Sequence, residues 1–412
     1  MKIFPFKAVR PHIDVAHDVA ALPYDVYDRA EAAAAVEGKP LSFLNIDRPE
    51  TQFDPSQDMY APEVYAKAKE MLQSGIAEGV YERESDPRLY IYELVMNGRS
   101  QKGIVATCDI DDYEQGLIKK HEDTLPKKEQ DRINHISALD AQTGPIFLAY
   151  RDEVSVDNLV EEISAEMPLY NFVADDGITH RVWRASEDQT KALAEAFGQV
   201  PAAYIADGHH RAASAVKVGL QRRKQNPDFD GSEEFNHFLA VLFPKSQLKI
   251  LAYNRVVFDL NGNTVDEFLE KVSQVFDVEH IQESVLEPAE KGAVAMYLDG
   301  KWYGLGFKEE FLSNHPVDGL DVAILQNQVL SNILGIDDPR TSDRIVFVGG
   351  IRPTEELAQK VDALNAPGVA FAMYPTSIDE LLSVADAGLR MPPKSTWFEP
   401  KLRSGLFIHE LS

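Results

Sequence analysis

Ala202-Ala203-Tyr204-Ile205-Ala206 runs without a break into Asp207-Gly208-His209-His210-Arg211. The first five residues read as a short buried strand. Gly208 permits a tight turn and close backbone approach, and a helix is expected over 211–223. A helix start presents backbone N–H groups and a favourable dipole end to an anion. Two histidines and an arginine add directional donors there, and the planar fork of Arg211 suits two phosphate oxygens at once. Asp207 could orient a histidine or hold Mg²⁺ through oxygen. The plainer reading is a capping aspartate followed by surface histidines. Zinc would need ligands beyond two adjacent histidines, and no HExxH spacing is present.

Working outward, strands and helices mix without a strict βαβ repeat, so the expected class is α+β, or mixed α/β. Leu89–Val95 and Gly103–Thr107 flank Asn97-Gly98, a strong hairpin signal. Strands are expected at 145–150, 202–206, 238–243, 294–298, 345–348 and 369–374. Helices are expected at 155–166, 187–198, 264–275, 318–333 and 354–363, with a hairpin over 172–182. The expected division is 1–115, an amino-terminal region with the hairpin, 116–250, a catalytic core, and 251–412, a carboxy-terminal region with a basic tail.

The 412 residues carry 41 Lys+Arg against 67 Asp+Glu, a formal net charge of -26. So acidic a surface repels nucleic-acid backbones and anionic membranes, and neither is an expected partner. It also makes each basic cluster informative. Cys108, the one cysteine, excludes an intramolecular disulfide and reads as a packed strand thiol. The start MKIFPFKAVRP lacks a long apolar run, and no segment approaches the roughly 20 apolar residues of a bilayer span, so a cytoplasmic enzyme is expected.

Two basic stretches stand out. Lys119–Ile133 holds His121, Glu122, Thr124, Lys127 and Arg132 ahead of a helix expected near Pro126. A carboxylate beside a histidine suits base work on a hydroxyl, and the nearby cations suit phosphate. Alone it is more often a solvated helix start. Met391–Leu406 brings Lys394, Lys401 and Arg403 into an extended, proline-fixed path with Ser395, Thr396 and Ser404. It reads either as a basic island closing on the site or as a tail stapled through Trp397, Phe398 and Leu406. Asp25, in Leu22-Pro-Tyr-Asp-Val26, is a carboxylate in a restrained loop, and Val348-Gly-Gly-Ile351 could offer amides to an anion. Walker, Rossmann and kinase glycine-rich signatures are missing.

At these residues the chain resembles the family called domain of unknown function 1015. The likeness rests on Pro23-Tyr-Asp-Val26, His121-Glu122 with Thr124 and Arg132, Gly144-Pro-Ile146, Asp207–Arg211 and Met391-Pro-Pro-Lys-Ser-Thr396. That family is similar in its core to the ParB/sulfiredoxin superfamily, some of whose members are free L-serine kinases using ADP, ATP or pyrophosphate. The resemblance implies a ParB/sulfiredoxin-like core and phosphoryl transfer to a small hydroxyl substrate, with L-serine leading. It implies Glu122 as base, with His209, His210 and Asp207 in the catalytic group. Gly208, His209, His210, Arg211, Lys127, Arg132, Lys394, Lys401 and Arg403 would meet the donor, and His121, Thr124 and Asp25 the acceptor. Mg²⁺, on Asp207, is the expected cofactor. A homodimer stays open, as do a non-enzymatic nucleotide-binding switch and a metal-dependent phosphohydrolase.

Overall fold

The computed structural model describes residues 1–412, which divide into two compact units, Met1–Leu248 with Pro400–Ser412, and Lys249–Glu399. The class is mixed α+β, with long helices among parallel and antiparallel strands.

The first unit is built on nine strands: β1 (Ile3–Phe4), β2 (Tyr90–Met96), β3 (Arg99–Asp109), β4 (Ile118–Lys119), β5 (Ile146–Tyr150), β6 (Tyr170–Val173), β7 (Thr179–Arg184), β8 (Ala203–Asp207) and β9 (His237–Pro244). Their order is β4-β8-β5-β9-β3-β2-β7-β6. The β2–β3 hairpin closes at Asn97 and Gly98, whose φ values of 52° and 76° are both positive, as its two-residue turn demands. Because β3 outruns β2, its far end at Thr107 and Cys108 is paired by β1.

Along β3, β5 and β9 alternate residues fall on one face: Ile104, Ala106 and Cys108, then Ile146, Leu148 and Tyr150, then Phe238, Ala240 and Leu242. That is the two-residue period of a strand. Helices α1 (Pro62–Ala77), α2 (Pro126–Leu139), α3 (Val154–Ser164), α4 (Glu187–Phe197) and α5 (His209–Gln225) complete the unit, and the last four add Ile133, Val160, Leu193 and Ala212, among others, to that core. Cys108 lies fully buried there, and burial raises its thiol pKa, so it is a packing residue. The boundary expected at 115–116 falls within this arrangement, because strands on both sides of it share one sheet.

The chain returns to this unit at its end. His409 and Glu410 pair with Gln142 and Ala141, and Leu406, Phe407 and Ile408 are fully buried. Burying three such side chains contributes roughly 5–9 kcal/mol.

The larger sheet of the second unit has six strands: β10 (Tyr253–Val257), β11 (Phe276–Gln282), β12 (Ala293–Leu298), β13 (Lys301–Phe307), β14 (Ile345–Gly349) and β15 (Val369–Met373). They run in the order β11-β13-β12-β15-β10-β14. The sequence reading passes over β10, β11 and β13. Leu357 and Val361, from the helix Glu355–Asp362, pack on Val256, Ala295 and Ala370. The pair Gly349-Gly350 is explained by packing: a Cβ at Gly349 would lie 2.7 Å from the ring of Trp397, and one at Gly350 2.8 Å from the backbone of Ala252. No helix is long and apolar enough to cross a membrane.

Candidate functional site

Strand β8 pairs antiparallel with β5, and its register shifts between Ile205 and Asp207. Such an irregularity bends the strand end and re-aims its side chains. Gly208 follows with φ +93°, a left-handed conformation that costs glycine little. A Cβ here would come within 2.9 Å of the Arg211 guanidinium. The helix therefore begins at His209, not at the expected residue 211, and both histidines lie in its first turn.

The Arg211 fork is turned inward. Nη1 donates to the Pro145 carbonyl at 2.6 Å, and Nη2 lies 3.3 Å from Asp207 Oδ2. Lys401 Nζ, from the returning tail, reaches the same carboxylate oxygen at 3.6 Å. Burial alone would raise the Asp207 pKa, but Lys401, Arg211 and His209 more than reverse this and hold it well below the usual carboxylate range. A carboxylate already turned onto two cations is a poor seat for Mg²⁺, so these residues do not fit the ion expected there.

His209 and His210 face different neighbours. His209 Nδ1 lies 3.6 Å from Glu122 Oε2, and its ring meets that of His121 edge to face, centroids 4.5 Å apart. His210 Nε2 accepts the Leu125 N–H at 3.0 Å, so its proton sits on Nδ1. Burial, aided by Lys128, lowers the His210 pKa and favours the neutral ring. His121 is buried, whereas the Glu122 side chain is 39% exposed and open to a substrate.

Helix α2 supplies the neighbouring wall. The buried Arg132 pairs with Asp131 at 2.8 Å, and its guanidinium lies 3.9 Å from the Tyr24 ring centroid. A cavity of about 170 Å³ opens beside it, lined by Tyr24, Asp25, Tyr60, Lys128, Asp131 and Arg132, among others. On the inner side, Arg132 and Arg211 also line a space of about 30 Å³. That is room for a water or two and not for a phosphate, since one water needs roughly 10–15 Å³.

The structure thus brings together Asp207, Gly208, His209, His210, Arg211, His121, Glu122 and Lys401, with Asp25 and Arg132 at the adjoining cavity. Other expected site residues are engaged elsewhere. Arg403 pairs with Asp176, and its Nε donates to His180 at 3.3 Å, bracing the tail. Thr124 gives its hydroxyl to Glu129, a carboxylate that also takes Lys217. Lys127 is exposed, with Nζ 4.8 Å from the Tyr60 ring centroid. Lys394 belongs to the second unit, where its Nζ lies 5.6 Å from the Tyr253 ring centroid and its carbonyl accepts from Arg255. Lys128 is the cation that the sequence reading overlooks. Its signal is spacing: with Pro126 opening the helix, Lys128 and Arg132 stand four apart on one face, and Lys127 does not.

Fold and site define an α+β protein whose ionisable cluster gathers at one strand-to-helix turn. The model of the family described as "Protein of unknown function (DUF1015)" matches residues 3–323, and the chain belongs to that family. No curated protein matches it. Among solved structures, the chain is similar to SbnI with a C-terminal truncation from Staphylococcus aureus, at 14% identity and TM-score 0.37, covering 73% of this chain and 85% of that one. It is also similar to a free serine kinase in complex with AMP, at 14% identity and TM-score 0.34, covering 73% and 91%. A conserved hypothetical protein from Pyrococcus furiosus matches at 12% identity and TM-score 0.35, covering 74% and 94%. Likenesses this loose assign no residue a role here.

Proposed function

We propose that the protein is a phosphotransferase that moves a phosphoryl group from ATP, ADP or pyrophosphate to a small hydroxyl substrate, with free L-serine the leading acceptor. The observation that carries this is the accessible Glu122 carboxylate beside the His209 helix start, with Lys401 and the roughly 170 Å³ cavity completing the surround. In-line transfer asks for positioning, charge neutralisation and a base for the nucleophile. Glu122 takes the proton from the acceptor hydroxyl. First-turn N–H groups, His209 and Lys401 meet the donor's phosphates. Neutral His210 holds the loop that carries Glu122 through its bond to Leu125. Asp25 and Lys128 both line the cavity, opposite charges that match the ammonium and carboxylate of a free amino acid. Mg²⁺ is read as arriving with the donor, as its counter-ion. The reading takes no nucleic acid as partner, given a net charge of -26, and places the enzyme in the cytoplasm.

The test is incubation of the full chain with L-serine, Mg²⁺ and each donor in turn, followed by phosphorus NMR for O-phospho-L-serine. Phosphoserine with one donor is expected. Donor consumption releasing only inorganic phosphate would mean a phosphohydrolase instead.

A further inference from the structure

We propose that His121, Glu122 and His209 form a binding site for a first-row divalent transition metal of the zinc or manganese class. Each offers one ligating atom, and the three atoms lie within 4.8 Å of one another. The 3.6 Å between His209 Nδ1 and Glu122 Oε2 is long for a hydrogen bond. It is close to the roughly 3.4 Å edge of a tetrahedron whose centre lies about 2.1 Å from each ligand. The two imidazole planes stand 87° apart, edge to face.

Burial matches the same picture. His121 and His209 are 2% and 6% exposed, while Glu122 opens toward solvent and substrate. Two protein ligands come from the loop after β4 and one from the start of α5, so an ion would tie these elements together. Two imidazole nitrogens and one carboxylate suit zinc, manganese or iron, whereas Mg²⁺ prefers an all-oxygen shell. The nearby cations Arg211 and Lys401 are turned onto Asp207. Three protein ligands leave a coordination position for an oxygen of a phosphate or hydroxyl substrate. Bound there, the metal would supply Lewis-acid polarisation of that oxygen. Glu122 keeps its second oxygen for the acceptor proton. That use of the site rests on the phosphotransfer reading; ion binding itself does not.

The experiment titrates the full chain, free of added histidines, with Co²⁺ and with Zn²⁺, following heat and the visible absorption of Co²⁺. One ion per chain is expected, with absorption bands of a nitrogen-ligated, low-coordinate Co²⁺. His121→Ala and His209→Ala should weaken affinity at least tenfold, since losing even an outer partner of a ligand costs roughly 10–100-fold. His315→Ala, at an exposed histidine of the second unit, should stay within about twofold of the parent. Glu122→Ala, at a partly exposed position, repeats the ligand test should a buried-histidine variant fail to fold. Absence of the Co²⁺ bands, or an equal loss in His315→Ala, overturns the proposal. Ion binding without phosphoserine formation leaves the site standing and sinks the kinase reading, and the converse sinks the site alone.

Discussion

Replacing Arg211 with lysine keeps the charge and removes the fork. In the parent, one guanidinium nitrogen is hydrogen-bonded to the Pro145 carbonyl at 2.6 Å while another reaches Asp207 at 3.3 Å. A lysine can satisfy one of these and not both. Losing one charge-assisted bond costs about 1.5–3 kcal/mol, because the abandoned partner stays in a desolvated site. For a unit of this size about 1 kcal/mol corresponds to roughly 2–4 °C, so the first unit's melting midpoint should fall by about 3–12 °C. Donor affinity should fall by about tenfold or less, through loss of Asp207's orientation. The assay is differential scanning calorimetry, beside calorimetric titration of donor and of L-serine. A loss of donor affinity beyond tenfold with an unchanged midpoint would refute the inward-facing role and put the guanidinium on the phosphates.

Glu122→Gln keeps the side chain's size and removes its basicity, so turnover should drop roughly 10²–10⁴-fold with donor affinity nearly intact; rates within twofold of the parent remove Glu122 from the chemistry. The pH dependence follows from His180, whose pKa burial, aided by Arg403, pushes down from 6.5 to about 3. The unfolded chain then binds the extra proton first, so this contribution is full above about pH 6.5 and is lost toward pH 3, at up to about 1.4 kcal/mol per unit of pH. Urea titrations at pH 7.5, 6 and 5 check the slope, and His180→Phe should flatten it. Truncation after Glu399 should leave the first unit unable to fold, since the roughly 5–9 kcal/mol contributed by Leu406, Phe407 and Ile408 rivals a domain's whole stability of about 5–15 kcal/mol; a soluble, cooperatively melting product would contradict this.

Much of this was legible before any coordinates. Asn97-Gly98 between two apolar runs specifies a turn with two positive φ values, and such a turn is formed. The Asp207–Arg211 turn was legible because a strand, a glycine and polar residues follow one another without a gap. Asp299-Gly300, with φ values of 49° and 76°, carries a similar hairpin signal for β12 and β13. What local pattern does not encode is partnership across the chain. That Arg403 would find Asp176 and His180, and Lys401 would find Asp207, depends on where the tail threads. Composition marked the tail as basic, and only the fold separates the brace from the site residue two positions before it.

The same threading bears on how an acidic protein can hold phosphate. A buried guanidinium must be paired, or its desolvation is uncompensated. Arg132, Arg211 and Arg403 obey this, each against an aspartate: Asp131, Asp207 and Asp176. Their charges are largely used up within the fold, and they brace the loops rather than face a ligand. The proposed donor contacts therefore pass to Lys401, His209 and the N–H groups of the first turn. Such groups recognise charge and leave out the bidentate geometry that a fork imposes. ATP, ADP and pyrophosphate share the terminal phosphate that these groups would meet. Discrimination among them then has to come from contacts beyond that phosphate, while Asp25 and Lys128 at the cavity select the acceptor.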